Sequence, residues 1–442
     1  MVVSERNENM ENKLVIFGGY IVNPGASFEG YATIFVKDGI IDRIVLPKEA
    51  EPAGYQDADK LDATGLYVFP GLVDAHSHFR DPGFTAKEDI LTGASAAMAG
   101  GYTDIVLMCN TKPVVDNEET FRYVIEKGKL TPIHIHSCAT VSMGLKGQQL
   151  TDMDALAKLG AVGFTDDGIP LMDADILRQA MIKSAALELP ISLHEEDKTL
   201  ITNNGINRGK ASEYYGVGGS PKEAEISLIR RDLEIALDTG AILDVQHVSA
   251  KESVELIRNA VQRQGGKRTI HAEATPHHFT LTEDALIEKG ADAKCNPPLR
   301  TEEDRLGIIE GLRDNTIDLI ATDHAPHTAE EKAVQPITSA PSGMIGLETA
   351  LSLSYEKLVL EAGIPLMDVI AKLTVNPAKI YRLENAGTIR EGGNADLCLF
   401  NPNEEYVAES FASKSKNSPF LGRTMKGRVV ATICDGKKVY TR

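Results

Sequence analysis

The sequence predicts an α/β fold: a (β/α)₈, TIM-type barrel with a small β-sandwich built from both chain ends. Three observations predict it. From residue 67 onward, eight short apolar runs alternate with amphipathic helical stretches, and such alternation argues for a parallel sheet. Eight units spread over roughly 250–320 residues favour a closed barrel over an open sheet. Both flanks instead carry short alternating strands joined by Gly- and Asn-containing turns, too few at either end to bury a core alone. The expected partition is 1–66 for the first part of the sandwich, 67–384 for the barrel and 385–442 for the rest.

Taken in order, 13–22, 32–36 and 40–45 read as the first flank's strands. The first barrel strand is 67–73, an apolar run ending at Val73. The other runs are 104–108, 132–138, 161–165, 190–193, 241–245, 269–274 and 317–321. Helical periodicity marks 87–99, 118–128, 152–159, 173–187, 221–239 and 253–263. The far flank offers strands at 396–401, 422–430 and 431–440. Two irregular stretches, 203–220 and 328–343, follow the fifth and eighth runs and read as active-site loops.

With 442 residues, 42% hydrophobic and 25% charged, the chain has the composition of a soluble globular protein. Its net charge of −18, with no Lys/Arg run, speaks against nucleic acid and anionic membranes as partners. An anionic substrate would therefore need local positive charge at its site. Five scattered cysteines without a CxxC pair read as core thiols in a reducing compartment. The start, 1–12, is polar without the apolar core of a signal peptide, and no run reaches membrane-spanning length. A cytoplasmic protein is expected.

The chemistry sits where apolar runs end. Alternation along an extended first strand puts Asp74, His76 and His78 on one face, with Arg80 on the same parity. The fourth run ends Phe164-Thr165-Asp166-Asp167-Gly168, and parity turns Asp167 inward, although Asp-Gly is also a turn signal. The fifth and sixth runs end at His194 and His247, and the eighth at Asp323, followed by His324-Ala325-Pro326-His327. Any one of these is compatible with an ordinary core or loop polar group. Five of eight strand ends carrying His or Asp converge on one cleft in a barrel, and that joint pattern suits a borderline ion such as Zn²⁺. Zinc lowers the pKa of a bound water to about 7, which points to hydrolysis of a resistant bond such as an amide.

The motifs Pro70-Gly71-Leu72-Val73-Asp74-Ala75-His76-Ser77-His78-Phe79-Arg80-Asp81-Pro82-Gly83, Asn110-Thr111-Lys112-Pro113, Phe164 to Gly168, Asn296-Pro297-Pro298-Leu299-Arg300 and Thr322 to His327 resemble one family over nearly the whole chain. It is the dihydroorotases of the bacterial type related to the multifunctional animal enzyme, within the amidohydrolase superfamily. The resemblance implies zinc-dependent, reversible closure of N-carbamoyl-L-aspartate to dihydroorotate in de novo pyrimidine synthesis, with up to two zincs per chain. By position it implies that His76, His78 and Asp323 hold one zinc, that His194 and His247 hold the second, and that Asp167 bridges them. Many relatives bridge with a carbamylated lysine, but 161–168 contains none. The resemblance further assigns Arg80, Asn110 and His327 to the substrate carboxylate, Asn296 to its ring, and Ser342 and Gly343 to a loop contact, and it counts His78 among the substrate-binding residues as well. Asp323 is expected to take a proton and deliver it to the departing ring nitrogen.

Two other functions stay open at this point. A dihydropyrimidinase, hydantoinase or allantoinase would use the same barrel on rings lacking a carboxylate, and Arg80 argues against it because its charge would go unpaired. An inactive partner subunit of aspartate carbamoyltransferase would tend to lose ligands, whereas all six are present. The resemblance leaves open a homodimer and an association of the active enzyme with that carbamoyltransferase.

Overall fold

Alternating apolar residues near the amino end form strands β1 (Lys13–Phe17), β2 (Tyr20–Asn23), β3 (Phe28–Tyr31), β4 (Thr33–Lys37), β5 (Ile40–Val45) and β6 (Asp59–Asp62). The structure, a computed structural model, describes residues 12–442. The polar stretch assessed above for a signal sequence therefore lies, except for Asn12, outside the described residues. The run expected as one strand over 67–73 is two. β7 (Tyr67–Pro70) and β8 (Leu72–Ser77) belong to different sheets and are separated by Gly71. Gly71 donates its N–H to the Asp396 carbonyl, and a Cβ there would stand 2.1 Å from Thr103 Oγ1. Only a residue without a side chain lets the strand change sheets so close to its neighbour.

The parallel strands follow as β8, β9 (Tyr102–Leu107), β10 (His134–Ser137), β11 (Ile191–Leu193), β12 (Leu243–Val245), β13 (Ile270–Ala274) and β14 (Leu319–Ile320). β10-β9-β8 form one parallel sheet and β11-β12-β13-β14 another. The expected fourth strand, 161–165, is not a regular one, because the turn at Asp166-Asp167-Gly168 follows at once. Phe164 nevertheless bridges in parallel to Ala139 on one side and Ile191 on the other. Backbone bonds Thr165 N–H to Ala139 and Ser192 N–H to Phe164 hold it in place. His324, just past β14, pairs in parallel with Ser77, so the order of pairing returns to its start.

Helices Ile90–Gly100, Glu118–Gly128, Ala174–Leu187, Lys222–Thr239, Lys251–Arg263 and Glu302–Arg313 lie between the strands. Several begin on a side chain that accepts from the first free amides, as Asp89, Asn117, Asp173 and Thr301 do. A large apolar cluster, with Phe79, Tyr102, Phe121, Phe164 and Phe279 at its centre, joins them to the strands.

The carboxyl end supplies β15 (Leu397–Val407), β16 (Thr424–Cys434) and β17 (Lys437–Thr441). The expected strands 422–430 and 431–440 are divided differently: β16 runs unbroken to Cys434, and the turn falls at Asp435-Gly436, both at positive φ. A six-stranded sheet, β17-β16-β15-β7-β2-β3, mixes both chain ends, while β5-β4-β1-β6 is wholly amino-terminal. Ile16, Ile34 and Ile41 of the smaller sheet share a core with Ile21, Val68, Leu397 and Ile433 of the larger.

Gly71→Ala should destabilise the protein by about 1–3 kcal/mol through overpacking against Thr103. Urea denaturation measures it, and an unchanged midpoint would show that the crossing tolerates a side chain.

Candidate metal centre

The six expected ligands converge past the carboxyl ends of the parallel strands. His76 lies in β8 and His78 one residue beyond it, His194 directly after β11, and His247 and Asp323 in the turns after β12 and β14. His247 and Asp323 have φ of 32° and 44°, so the chain turns through left-handed backbone at both positions. Such conformations cost of order 1–3 kcal/mol each, and they cluster at functional sites. Asp74 does not join the group. The ladder shifts register between Asp74 and Ser77, which breaks strict alternation, and the Asp74 carboxylate binds the Thr322 N–H and Oγ1 at 2.9 and 2.5 Å.

Asp167 is the centre of the cluster. Its Oδ2 lies 3.4 Å from His78 Nε2, and its Oδ1 lies 3.6 Å from His76 Nε2 and 3.9 Å from both His194 Nδ1 and His247 Nε2. Asp323 Oδ1 stands 3.1 Å from His78 Nε2 and 3.6 Å from His76 Nε2. Two donor groups result, His76-His78-Asp167 and Asp167-His194-His247, which share the aspartate.

Outer partners decide which way the imidazole lone pairs point. His76 Nδ1 faces Glu273 at 3.0 Å, His78 Nδ1 faces Asn110 Oδ1 at 3.0 Å, and His194 Nε2 faces Glu196 at 3.2 Å. Glu273 and Asn110 each take an N–H, leaving the other nitrogen of His76 and of His78 to turn its lone pair toward carboxylate oxygen, while His194 Nδ1 stands 3.0 Å from His247 Nε2. Acceptors therefore face acceptors in a buried site, and His76 Nε2 has no hydrogen-bond partner. A bare chain must fill the gap with a proton. Burial opposes it, yet Glu273, Asp167 and Asp323 raise His76 to about 10. For Asp167 and Asp323 burial likewise works against the charge, but the surrounding imidazoles hold both carboxyls well below their ordinary range. The donor set, four imidazoles and two carboxylates, fits borderline divalent ions.

Beneath this layer lies a second polar one. Asp244 accepts from Tyr381 Oη at 2.7 Å and lies within 3.2 Å of Ser192 Oγ. Burial, and then the charge of Glu273, push its carboxyl far up.

A cationic pocket adjoins the centre. Arg80, at φ 58°, reaches it through a turn rather than by strand parity, and gives its Nε to the Pro326 carbonyl at 3.3 Å. Its guanidinium lies 3.5 Å from His327 Nε2, and Lys87 Nζ is 3.3 Å from the other nitrogen of that ring. Burial, then Arg80, Lys87 and Lys332, drive His327 down to about 3, so it is a neutral donor to the Ser342 carbonyl at 2.9 Å. Asn110 gives its Nδ2 to Asp167 at 2.9 Å, and Asn296 Nδ2 stands 3.1 Å from His194. The two irregular stretches meet here: a Cβ at Gly205 (φ 72°) would lie 2.3 Å from Ser342 Oγ. Gly343 donates its N–H to the Lys294 carbonyl, and its own carbonyl accepts from Lys332 and Asn417. Its backbone groups are thus spent on the loop itself.

Sequence reasoning missed Glu273, Glu196, Lys87, Lys294 and Lys332. Glu273, an acid inside the apolar run 269–274, carried a legible signal. Nothing in the sequence marks Lys294 and Lys332 as buried. Their ammonium groups bind the Ile337, Ala340, Pro341 and Gly343 carbonyls and pin the loop that carries Ser342.

Fold and site together define the class, an amidohydrolase. Residues 334–440 match the family described as Amidohydrolase family, and 65–253 match the one described as Dihydro-orotase-like. The dihydroorotase of Clostridioides difficile (strain 630) is 48% identical over 97% of this chain and 99% of its own length. That of Clostridium acetobutylicum is 46% identical over the same shares. Among solved structures, an L-hydantoinase (dihydropyrimidinase) from Arthrobacter aurescens superposes with a TM-score of 0.85 at 25% identity, covering 98% of this chain and 96% of that one. A dihydropyrimidinase from Brevibacillus agri NCHU1002, at 23% identity, has a TM-score of 0.82 over 97% and 95% of the two chains. This chain belongs to the dihydroorotase family.

Glu273→Gln keeps the shape but removes the charge that orients His76, and should weaken metal affinity by about 10–100-fold. Competition with a chromogenic chelator reads this directly. Unchanged affinity would remove Glu273 from the support of the centre.

Proposed function

We propose that this chain is a zinc-dependent dihydroorotase that interconverts N-carbamoyl-L-aspartate and (S)-dihydroorotate in de novo pyrimidine synthesis. The working domain is a closed (β/α)₈ barrel, 72–384, and β7 joins strands of both chain ends in the β-sandwich that carries it. The observation that carries the substrate assignment is Arg80. Among the described residues no carboxylate lies within ion-pair distance of its guanidinium, although Lys87 and His327 crowd the same corner. A partly buried, unpaired charge beside a hydrolytic centre is costly unless the substrate brings the counter-charge. Dihydroorotate has a carboxylate to offer, whereas dihydrouracil and hydantoin rings do not.

His76, His78 and Asp323 would hold one zinc, His194 and His247 the other, and Asp167 would bridge. The bridge is an aspartate rather than a modified lysine, since 161–168 has no lysine to modify. Bound zinc would supply an ionised water at neutral pH and polarise the ring amide carbonyl. Asp323, held ionised by His78 and His76 despite its burial, takes the proton released on attack at that carbonyl. It then passes the proton to the ring nitrogen as the C–N bond breaks. In the synthetic direction Asp323 removes the proton from the ureido nitrogen and gives it to the departing oxygen.

Arg80 binds the substrate carboxylate with two parallel N–H donors, and Asn110 and His327 complete that contact. Asn296 faces the ring. Ser342 lines the far wall, while Gly343 shapes the loop behind it. The five cysteines are all buried and free, which fits a reducing compartment, so we place the enzyme in the cytoplasm.

Arg80→Met should lower kcat/KM for dihydroorotate by about 10²–10⁴, two charged hydrogen bonds being worth roughly 3–6 kcal/mol. Dihydrouracil should be a poor substrate for the native enzyme and lose far less. Both are measured on both proteins at matched metal content. Equal losses, or better native turnover of dihydrouracil, would move the assignment to a dihydropyrimidinase.

A further inference from the structure

At the amino end of β10, remote in sequence from the ligands above, four donor side chains from separate elements meet. His134 opens β10, Asp396 precedes β15, Cys434 ends β16, and Asp435 begins the turn into β17. Around His134 Nε2 stand Asp396 Oδ2 at 3.2 Å, Cys434 Sγ at 3.4 Å and Asp435 Oδ1 at 3.7 Å. One N–H can serve only one of these three acceptors, whereas one ion can serve His134, Cys434 and Asp435 together. His134 Nε2 stands from Cys434 and Asp435, the two donors grouped with it, at spacings that agree with the edges of a tetrahedron whose bonds are about 2.0–2.3 Å, which are about 3.3–3.8 Å long.

We propose that this seam is a second metal site, for one divalent ion of the zinc class, with His134, Cys434 and Asp435 as ligands and Asp396 beside the imidazole. Nitrogen, thiolate and carboxylate together select a borderline ion over magnesium or calcium.

Second-sphere contacts support the arrangement. The Asp435 N–H donates to Asp396 Oδ1 at 2.7 Å, which fixes that carboxylate and leaves Oδ2 facing the imidazole. Asp104 lies directly across from His134 in the parallel ladder and forms a donor group with His134 and Asp396, while its Oδ1 takes His136 at 3.0 Å. Three carboxylates thus crowd one imidazole. The cations nearby, Lys129 and Lys437, line the adjoining cleft. That cleft, about 460 Å³, reaches His134, His136, Cys434 and Asp435, and gives an ion its path in.

Loading a divalent ion displaces the Cys434 thiol proton to solvent, because the ligand is the thiolate. No electron is transferred. The bound ion would tie β10 of the parallel ring to the sandwich hairpin.

Cobalt(II) tests this, because a thiolate ligand gives a near-ultraviolet charge-transfer band that imidazole and carboxylate ligands do not. The full-length protein is stripped with chelator and titrated with cobalt(II) chloride. The native chain should develop the band, and Cys434→Ser should lack it while keeping its circular dichroism spectrum. Asp435→Asn, changed at an exposed position, should keep the fold and weaken the cobalt affinity behind the band by about tenfold or more, as loss of a ligand should cost at least what loss of a supporting residue does. No band at saturating cobalt, a band that survives in Cys434→Ser, or unchanged affinity in Asp435→Asn would overturn the site.

Discussion

Acceptors facing acceptors in a buried place is the constraint on which the rest of this molecule turns. The imidazoles of His76 and His78 are locked by Glu273 and Asn110 so that their lone pairs look at Asp167 and Asp323. Left alone, such an assembly is repulsive and poorly solvated. Only positive charge at its centre makes it favourable, and the fold holds these side chains in that arrangement. The left-handed turns at His247 and Asp323 serve that end.

Specificity rests on a complementary arrangement next door. Burial, then the positive charge of Arg80, Lys87 and Lys332, keeps the His327 ring neutral, and Lys87 is itself paired with Glu331 at 2.9 Å. The loop over this corner has no regular secondary structure of its own near Ser342. Its shape comes from two buried ammonium groups that gather its carbonyls, from Asn417, and from the close approach of Gly205. Binding thus acts on a wall already in place, which saves the entropy of ordering it on contact.

Much of this was legible in the sequence, for identifiable reasons. Ligands at strand ends follow apolar runs, so His76, His78, His194, His247 and Asp323 could be placed before the fold was seen. Asp167 could be preferred over Asp166, which instead braces the turn by accepting from Val141 and Ser142. The failures have local causes. A bulge in β8 defeats alternation and sends Asp74 to Thr322. At Gly71 a strand leaves one sheet for another without any change in hydrophobicity, so 67–73 read as one element. The buried lysines and the outer acceptors Glu196 and Glu273 matter through contacts between residues far apart in sequence, which no periodicity encodes.

The central claim is that two cations, not protons, occupy the space around Asp167. Anomalous diffraction recorded on either side of the zinc absorption edge, from crystals of the zinc-supplemented protein, tests it most directly. The account predicts two zinc peaks flanking the Asp167 carboxylate, one near His76, His78 and Asp323 and the other near His194 and His247. A centre without anomalous density, its imidazoles hydrogen-bonded straight to Asp167 and Asp323, would contradict it.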